Sequence, residues 1–251
     1  MHIGRLAYMS LLAVGALLQT LPAQADPAVR MLYYERKPFH YTLPDGKVAG
    51  LVVGPTEAAF AKLGIPIQWA LVPANRILLQ LEGNAAAECS PGWYRKPERE
   101  AYARFSAPIY RDRPLVGLAR ADTRFEPGIT AQALLSRPDT KLLVKSNFSQ
   151  GAYMDALIAR MPPGQVAASA MEVQNLVKMI HAGRADLIIT TQEEVDLYVK
   201  QAELAMKDFR VLVFPDVPAV EMRYILCSKQ LPTEVMDRLN ATISETVRLK
   251  P

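Results

Sequence analysis

Residues 173–189, VQNLVKMIHAGRADLII, contain a helix pattern that leads directly into a strand pattern. The apolar residues of the first part follow the i, i+3, i+4, i+7 spacing of one helix face: Val173, Leu176, Val177 and Ile180. Gly183 stands where a helix C-cap belongs, and the apolar run 187–189 is typical of a buried strand. This stretch therefore predicts a helix that packs on a sheet and continues into one of its strands.

The same alternation extends along the chain in both directions. In the first half, strand patterns at 31–34, 65–72 and 85–89 enclose helix patterns at 56–63 and 75–81. In the second half, strand patterns alternate with helix patterns that start near 130, 151, 173 and 195. Strands separated by helices are typical of α/β proteins, with parallel sheets that carry helices on both faces.

Two proline-bearing connections, 111–114 and 215–218, divide this α/β chain into two lobes. After the second connection, a strand pattern at 221–228 and a helix pattern at 234–249 return to the first lobe. Two crossing segments side by side make a two-strand hinge, with a ligand cleft between the lobes. The expected boundaries are 26–112 plus 217–251 for lobe 1 and 113–216 for lobe 2.

The composition excludes several classes of protein. Half of the 251 residues are apolar and the net charge is +4, which excludes a disordered chain, and 19 prolines exclude a long coiled coil. No run of Lys or Arg indicates a nucleic-acid partner. No hydrolase, P-loop or metalloprotease motif occurs, and two cysteines are too few for a Cys-rich zinc site. We therefore expect no metal and no cofactor.

Residues 1–25 have the layout of a secretory signal peptide. Arg5 precedes the apolar run 6–21, and the segment ends in the cleavage signal Ala23-Gln24-Ala25. A membrane anchor is the alternative, but a bilayer core needs about 20 apolar residues. We expect cleavage after Ala25 and export of a soluble protein to the periplasm.

Export bears on the two cysteines, Cys89 and Cys227, which both end strand patterns. In an oxidising compartment, a disulfide between them is favoured over two free thiols. Two buried, unpaired cysteines are the alternative.

Four short motifs follow one another in an order that resembles a known family. They are Lys37-Pro38-Phe39 with Asp45-Gly46 and Gly50, then Leu81-Glu82-Gly83-Asn84, then Glu98-Arg99 followed by Phe105-Ser106-Ala107-Pro108-Ile109-Tyr110, and finally Gly183-Arg184-Ala185-Asp186. The chain resembles the type II periplasmic solute-binding proteins of family 3, the receptors of polar amino-acid importers. This resemblance implies a monomer that captures a small anionic or zwitterionic solute, such as an amino acid, for an inner-membrane ABC permease.

The sequence departs from the family pattern where the resemblance would fix the ligand. Thr191 stands where the family usually has the acidic residue that binds an α-ammonium group, and the strand 85–89 lacks the usual Asp. An ordinary α-amino acid is therefore a less certain ligand than the family implies. Cys89 with Gly92-Trp93 indicates a subgroup within the family.

Arg99 is the first candidate for ligand binding. The family places its carboxylate-binding arginine at this spacing before Phe105-Ser106, and a guanidinium binds a carboxylate through two parallel hydrogen bonds. The alternative is a surface arginine, since charged residues surround this position.

The other lobe 1 candidates stand at the carboxyl ends of strands, where ligands bind in open α/β sheets. An aromatic ring there offers a stacking surface, and Glu35 offers the negative charge that Thr191 lacks. Arg76, at the start of a helix, is a weaker candidate. The full set is Tyr34, Glu35 and Phe39 after the first strand, Gly92, Trp93 and Tyr94 after the third, and Arg76.

In lobe 2, Ser149, Gln150 and Gly151 precede a helix whose free N–H groups attract an anion. Ser149 is also suited to a simple N-cap. Thr190 and Thr191 end a strand and are expected to face the cleft.

Two other functions stay open beside transport. A few relatives of this fold are dehydratases or lyases that use cleft carboxylates as acid and base, and Glu35, Glu193 and Glu194 are the candidates here. The third possibility is an exported sensor module that reports to a membrane receptor.

Overall fold

The structure is a computed structural model that describes residues 28–218 and 221–249. The predicted signal peptide and its cleavage site lie outside the described residues. Within the described ranges, no helix combines the length and apolar character that a membrane span requires.

Twelve strands and eight helices alternate along the described residues. The strands are β1 (Val29–Tyr33), β2 (Tyr41–Thr42), β3 (Val48–Ala49), β4 (Ile67–Leu71), β5 (Glu88–Trp93), β6 (Ala103–Arg111), β7 (Leu115–Arg120), β8 (Leu142–Lys145), β9 (Val166–Ser169), β10 (Leu187–Thr191), β11 (Phe209–Val213) and β12 (Met222–Ser228). The helices are α1 (Val53–Lys62), α2 (Ala74–Gly83), α3 (Pro97–Glu100), α4 (Ala131–Leu135), α5 (Ala152–Ile158), α6 (Val173–His181), α7 (Val195–Gln201) and α8 (Thr233–Thr246).

The first five-stranded sheet, in the order β4-β1-β5-β12-β6, is the centre of lobe 1. Successive side chains of β1 point to opposite faces of the sheet, as in any strand. Met31 packs with Phe60 of α1 and Leu239 of α8 in one apolar cluster. Leu32 packs with Ile77 of α2 in another.

The second five-stranded sheet, in the order β11-β7-β10-β8-β9, is the centre of lobe 2. Leu142 of β8 faces a cluster that contains Leu134 of α4, and its neighbour Leu143 faces a cluster that contains Val177 of α6. The predicted apolar face of α6 is buried, because Leu176, Val177 and Ile180 are each at most 2% exposed. The prediction of an α/β fold with helices on both sides of each sheet is therefore confirmed.

Both sheets are mixed, whereas the sequence pattern predicted parallel ones. β1 runs parallel to β4 and β5, but β12 runs antiparallel to β5 and β6. In lobe 2, β10 is parallel to β8 and antiparallel to β7. The reason is topological, since β7 and β12 are the strands that enter each sheet from the hinge.

The strand predicted at 85–89 begins and ends later, at Glu88 and Trp93. The prediction followed the strand pattern 85–89, which ends before Pro91, a residue that cannot donate to the ladder. The strand passes Pro91 beside a register shift between Tyr224 and Ile225 of β12. Gly92 and Trp93 thus belong to the end of β5 rather than to the loop after it.

A disulfide and a backbone hydrogen bond link the segment that returns from lobe 2, which includes β12, to the preceding part of lobe 1. Cys89 of β5 and Cys227 of β12 are register partners, and a disulfide connects them. At the hinge, the backbone N–H of Asp112 donates to the carbonyl of Glu221 at 2.9 Å. The two crossing segments therefore lie side by side where they leave the sheet.

Candidate functional site

The candidate site is a cavity between the two lobes, of about 10 Å³, which is room for about one water molecule. Lobe 1 contributes the segment after β1, the end of β5 with the residue that follows it, α3 and the start of β12, and lobe 2 contributes the loop after β8. The lining residues are Tyr34, Arg36, Gly92, Trp93, Tyr94, Arg99, Phe148, Ser149 and Arg223. Because the lobes close over this cavity, a solute larger than water enters only when they separate.

Arg99 lies in α3 and is buried, with 5% of its surface exposed. Its Nη1 donates to the carbonyl of Tyr94 and its Nη2 to the carbonyl of Asn147, each at 3.1 Å. The guanidinium carbon lies 5.0 Å from the ring centre of Trp93. Burial lowers the pKa of Arg99. Among the described residues, no carboxylate forms an ion pair with this guanidinium, so it is a buried cation held by neutral groups.

Arg36 and Glu194 form an ion pair across the cleft. Nε of Arg36 donates to Oε1 of Glu194 at 2.7 Å and Nη2 donates to Oε2 at 3.1 Å. Glu194 also accepts hydrogen bonds from the hydroxyls of Thr190, Thr191 and Tyr198. Burial opposes ionisation of Glu194, but the charge of Arg36 and these hydrogen bonds outweigh it and lower its pKa to about 2. Glu194 is therefore a carboxylate fully satisfied by the protein itself.

Arg223 and Asp112 form a second buried ion pair, at the hinge. Nε of Arg223 donates to Oδ1 of Asp112 at 2.7 Å, and Nη1 donates to the carbonyl of Gly92 at 2.8 Å. The guanidinium stacks on the ring of Phe39, 3.7 Å from its centre, and the hydroxyl of Tyr94 donates to Asp112. Phe39 and Tyr94 thus support the hinge pair.

Four lobe 1 candidates from the sequence come together with Arg99 in the cavity: Tyr34, Gly92, Trp93 and Tyr94. The Tyr34 ring lies 5.9 Å from that of Trp93 and 5.7 Å from that of Phe148 in lobe 2. Gly92 has a φ of +93°, a conformation that favours glycine. The structure therefore gathers an aromatic surface beside a buried cation.

Three lobe 1 candidates do not line the cavity: Glu35, Arg76 and Phe39, the last of which packs against Arg223 at the hinge. Glu35 is exposed and accepts hydrogen bonds from the N–H and hydroxyl of Thr42, so its carboxylate does not compensate for Thr191. Arg76 is exposed on α2 and is not among the residues that line the cavity.

The N-terminus of α5 in lobe 2 is occupied by an anion of the chain itself. The Asp155 carboxylate accepts from the hydroxyl of Ser149 at 2.5 Å and from the N–H of Gln150 at 2.7 Å. The nearby Gly151 backbone packs against Glu221, whose carboxylate fills the space that a Cβ would need. The expected second anion site is therefore not free in this arrangement. Ser149 lines the cavity, whereas Gln150 and Gly151 do not.

Thr190 and Thr191 lie at the end of β10, as expected, and their hydroxyls hold Glu194. Sequence reasoning missed the residues that matter most to this arrangement: Arg36, Phe148, Asp112 and Arg223. An Arg within the strand pattern 221–228 was the available signal for Arg223, since a charge in a buried strand needs a partner.

The carboxylates considered for catalysis are engaged in other contacts. Oε1 of Glu193 accepts from the hydroxyl of Tyr110 at 3.2 Å and from the N–H of Arg113 at 2.7 Å, both near the hinge. A different carboxylate, Glu221, has its pKa raised to about 7 by burial and by the charges of Asp112 and Asp155, but it does not line the cavity. In the described residues, no cluster of His, Cys, Asp and Glu has the makings of a metal site.

A larger cavity, of about 770 Å³, lies outside this cleft. It is bounded by the start of α1, the hinge segment after β6 and the residues that follow α8. None of the ligand-binding candidates from the sequence lines it.

The two lobes, the two-strand hinge and the interlobe cavity define a type II periplasmic binding protein fold. The chain belongs to the bacterial extracellular solute-binding proteins, family 3, because the model of that family matches residues 30–161. The family assignment made from the motifs is confirmed, whereas the subgroup stays a prediction. A comparison with curated protein sequences finds no match.

Solved structures share the fold at low sequence identity. An ancestral arginine-binding protein bound to glutamine is 18% identical, with 87% of this chain and 91% of that chain covered and a TM-score of 0.65. The arginine-, lysine-, histidine-binding protein ArtJ from the thermophilic bacterium Geobacillus stearothermophilus is 18% identical over 88% and 90%, with a TM-score of 0.68. A histidine kinase sensor domain with similarity to periplasmic binding proteins is 14% identical over 87% and 89%, also with a TM-score of 0.68.

Proposed function

We propose that this protein captures a small solute through its carboxylate group, in the cleft between the lobes, for an inner-membrane ABC importer. The observation that carries the proposal is Arg99, a buried guanidinium without a carboxylate partner among the described residues. A buried charge held only by neutral groups is costly, and an anion at this position relieves that cost.

Arg99 also couples solute binding to closure of the lobes. It belongs to lobe 1, yet its Nη2 donates to the carbonyl of Asn147 in lobe 2. A carboxylate on Arg99 therefore lies against both lobes, and its higher affinity for the closed arrangement shifts the population towards it. The aromatic rings of Tyr34, Trp93 and Phe148 supply an apolar surface for the remainder of the solute.

The same proposal includes the cellular setting. The protein is a monomer exported to the periplasm after cleavage behind Ala25, with lobe 1 made of 26–112 plus 217–251 and lobe 2 of 113–216. Membership of an extracellular family supports export. Mass spectrometry of the exported protein tests the cleavage site, since a chain that starts at Asp26 is expected.

A thermal-shift screen tests the proposed ligand class. Amino acids, organic acids, polyamines and sugars are added to the purified mature protein, and a ligand raises the melting temperature with its excess over Kd. Compounds with a carboxylate are expected to shift the transition. A response confined to sugars or polyamines contradicts the proposal.

A sensor module is the second candidate, favoured by the likeness to a histidine kinase sensor domain. The two functions share the ligand but differ in partner. Deletion of the partner permease abolishes solute uptake if the protein serves an importer, and leaves the response of a sensor intact.

A further inference from the structure

The pairing of charges in the cleft limits which charges a bound solute can carry. Three arginines line the cavity: Arg36, Arg99 and Arg223. Arg36 is paired with Glu194 and Arg223 with Asp112, so only Arg99 has no carboxylate partner among the described residues. The residues around the cavity therefore leave a single positive charge to be balanced.

A cationic ligand could pair with the carboxylate of Glu194 only if no group of the protein already did so. We define the Glu194 subsite as Glu194 with Thr190, Thr191 and Tyr198, which together hold both carboxylate oxygens. Arg36 reaches this subsite from lobe 1 and binds both oxygens, and the Glu194 side chain is fully buried beneath it. A guanidinium of the protein thus occupies the carboxylate with which a cationic group of a ligand would otherwise pair.

Two of the aromatic rings of the cavity, Trp93 and Phe148, have cations of the protein beside them as well. The Arg99 guanidinium carbon lies 5.0 Å from the ring centre of Trp93. Arg36 and Lys145 lie 5.1 and 5.3 Å from that of Phe148. A ligand ammonium therefore finds no free carboxylate among the residues that line the cavity, and the rings of Trp93 and Phe148 already have protein cations beside them.

We propose that Arg36 is a built-in substitute for the cationic group of a ligand, and that the solute is a monocarboxylate with an apolar remainder and no ammonium group. This inference rests on the proposed function, since it assumes that Arg99 holds the carboxylate. It adds that the Glu194 subsite is closed to ligands because the protein fills it from within.

The first test opens the Glu194 subsite. In an Arg36→Ala variant, methylguanidinium is expected to raise the melting temperature, because it replaces the missing guanidinium. The wild-type protein and an Arg36→Ala/Glu194→Gln double variant are the controls and are expected not to respond. Equal shifts in all three proteins, or no shift in Arg36→Ala, overturn the inference. An Arg36→Gln variant, whose side chain is shorter than that of arginine and ends in an uncharged amide, serves if Arg36→Ala does not fold.

The second test compares carboxylates that differ only in the α-ammonium group. Calorimetric titration of the wild-type protein pairs pentanoate with norvaline, and 3-phenylpropanoate with phenylalanine. The carboxylate without ammonium is expected to bind about tenfold or more tightly in each pair. If amino acids bind as well or better, the inference fails while the proposed function stands. If no carboxylate of either kind binds, the proposed function fails with it.

Discussion

Arg36 of lobe 1 and Glu194 of lobe 2 join the two lobes through two hydrogen bonds, of 2.7 and 3.1 Å. The contact spans 158 positions of the chain and lies beside the cavity that contains Arg99. The closed arrangement of the lobes is therefore stabilised partly by the protein's own side chains, before a solute contributes.

The Arg36–Glu194 pair makes the free energy of unfolding depend on pH in the acid range. The pKa of Glu194 in the folded protein, about 2, is below its ordinary value of 4.5, so the stabilisation is present above pH 4.5 and is lost as the pH falls towards 2. We expect the free energy of unfolding to decrease over this range. Chemical denaturation at a series of pH values measures it, and a Glu194→Gln variant that shows the same decrease contradicts this origin.

Glu221 is expected to change the free energy of unfolding with pH in the opposite direction. Its pKa is raised from 4.5 to about 7 by burial and by the neighbouring charges of Asp112 and Asp155. An acid with a raised folded pKa stabilises below its unfolded pKa, and that contribution is lost as the pH rises through 7. The free energy of unfolding should therefore decline between pH 4.5 and 7 in the wild-type protein. In Glu221→Gln the decline should be smaller, and an unchanged profile would refute the assignment.

The hinge pair is expected to be a major contributor to stability. Arg223→Met leaves the Asp112 carboxylate buried without its partner, and we expect a loss of about 3–5 kcal/mol in the free energy of unfolding. The matched control is Arg120→Met, whose pair with Asp122 is largely exposed and is expected to contribute about 0–1 kcal/mol. Urea unfolding compares the two variants, and similar losses in both would contradict a special role for the hinge pair.

The disulfide is expected to stabilise lobe 1. Cys89 and Cys227 close a loop of 138 positions, so replacing both with serine should lower the free energy of unfolding by about 2–5 kcal/mol. A reducing agent should destabilise the wild-type protein and leave the double variant unchanged. Two reactive thiols in the unfolded, unreduced wild-type protein would show that the bond does not form.

Elements with a strong local pattern were predictable from the sequence. The apolar spacing in α6 and the run in β10 depend only on neighbouring residues, and both elements occur where predicted. β5 was misplaced because the strand pattern in the sequence ends at Cys89, whereas the strand continues past Pro91 beside a register shift in β12. The mixed sheet directions depend on how the chain crosses the hinge, which no local pattern records.

The candidate site was predictable in part. Arg99 was indicated by the resemblance to the family, which places a carboxylate-binding arginine at this spacing before Phe105-Ser106, and it lies in the cavity. The pairing of Arg36 with Glu194 joins distant parts of the chain, so neither residue carries a local sign of the other. Asp155 was a signal in the sequence that the N-terminus of α5 is not free to bind a ligand. An acidic residue in the first turn of a helix is suited to accept hydrogen bonds from the N–H groups there.

The central claim is that Arg99 holds the carboxylate of a solute, and calorimetric titration of one compound identified by the thermal-shift screen tests it most directly. The wild-type protein, Arg99→Ala and the exposed control Arg76→Ala are titrated side by side. We expect Arg99→Ala to weaken binding by about 2–5 kcal/mol and Arg76→Ala to leave it unchanged. Unchanged affinity in a folded Arg99→Ala protein would contradict the account.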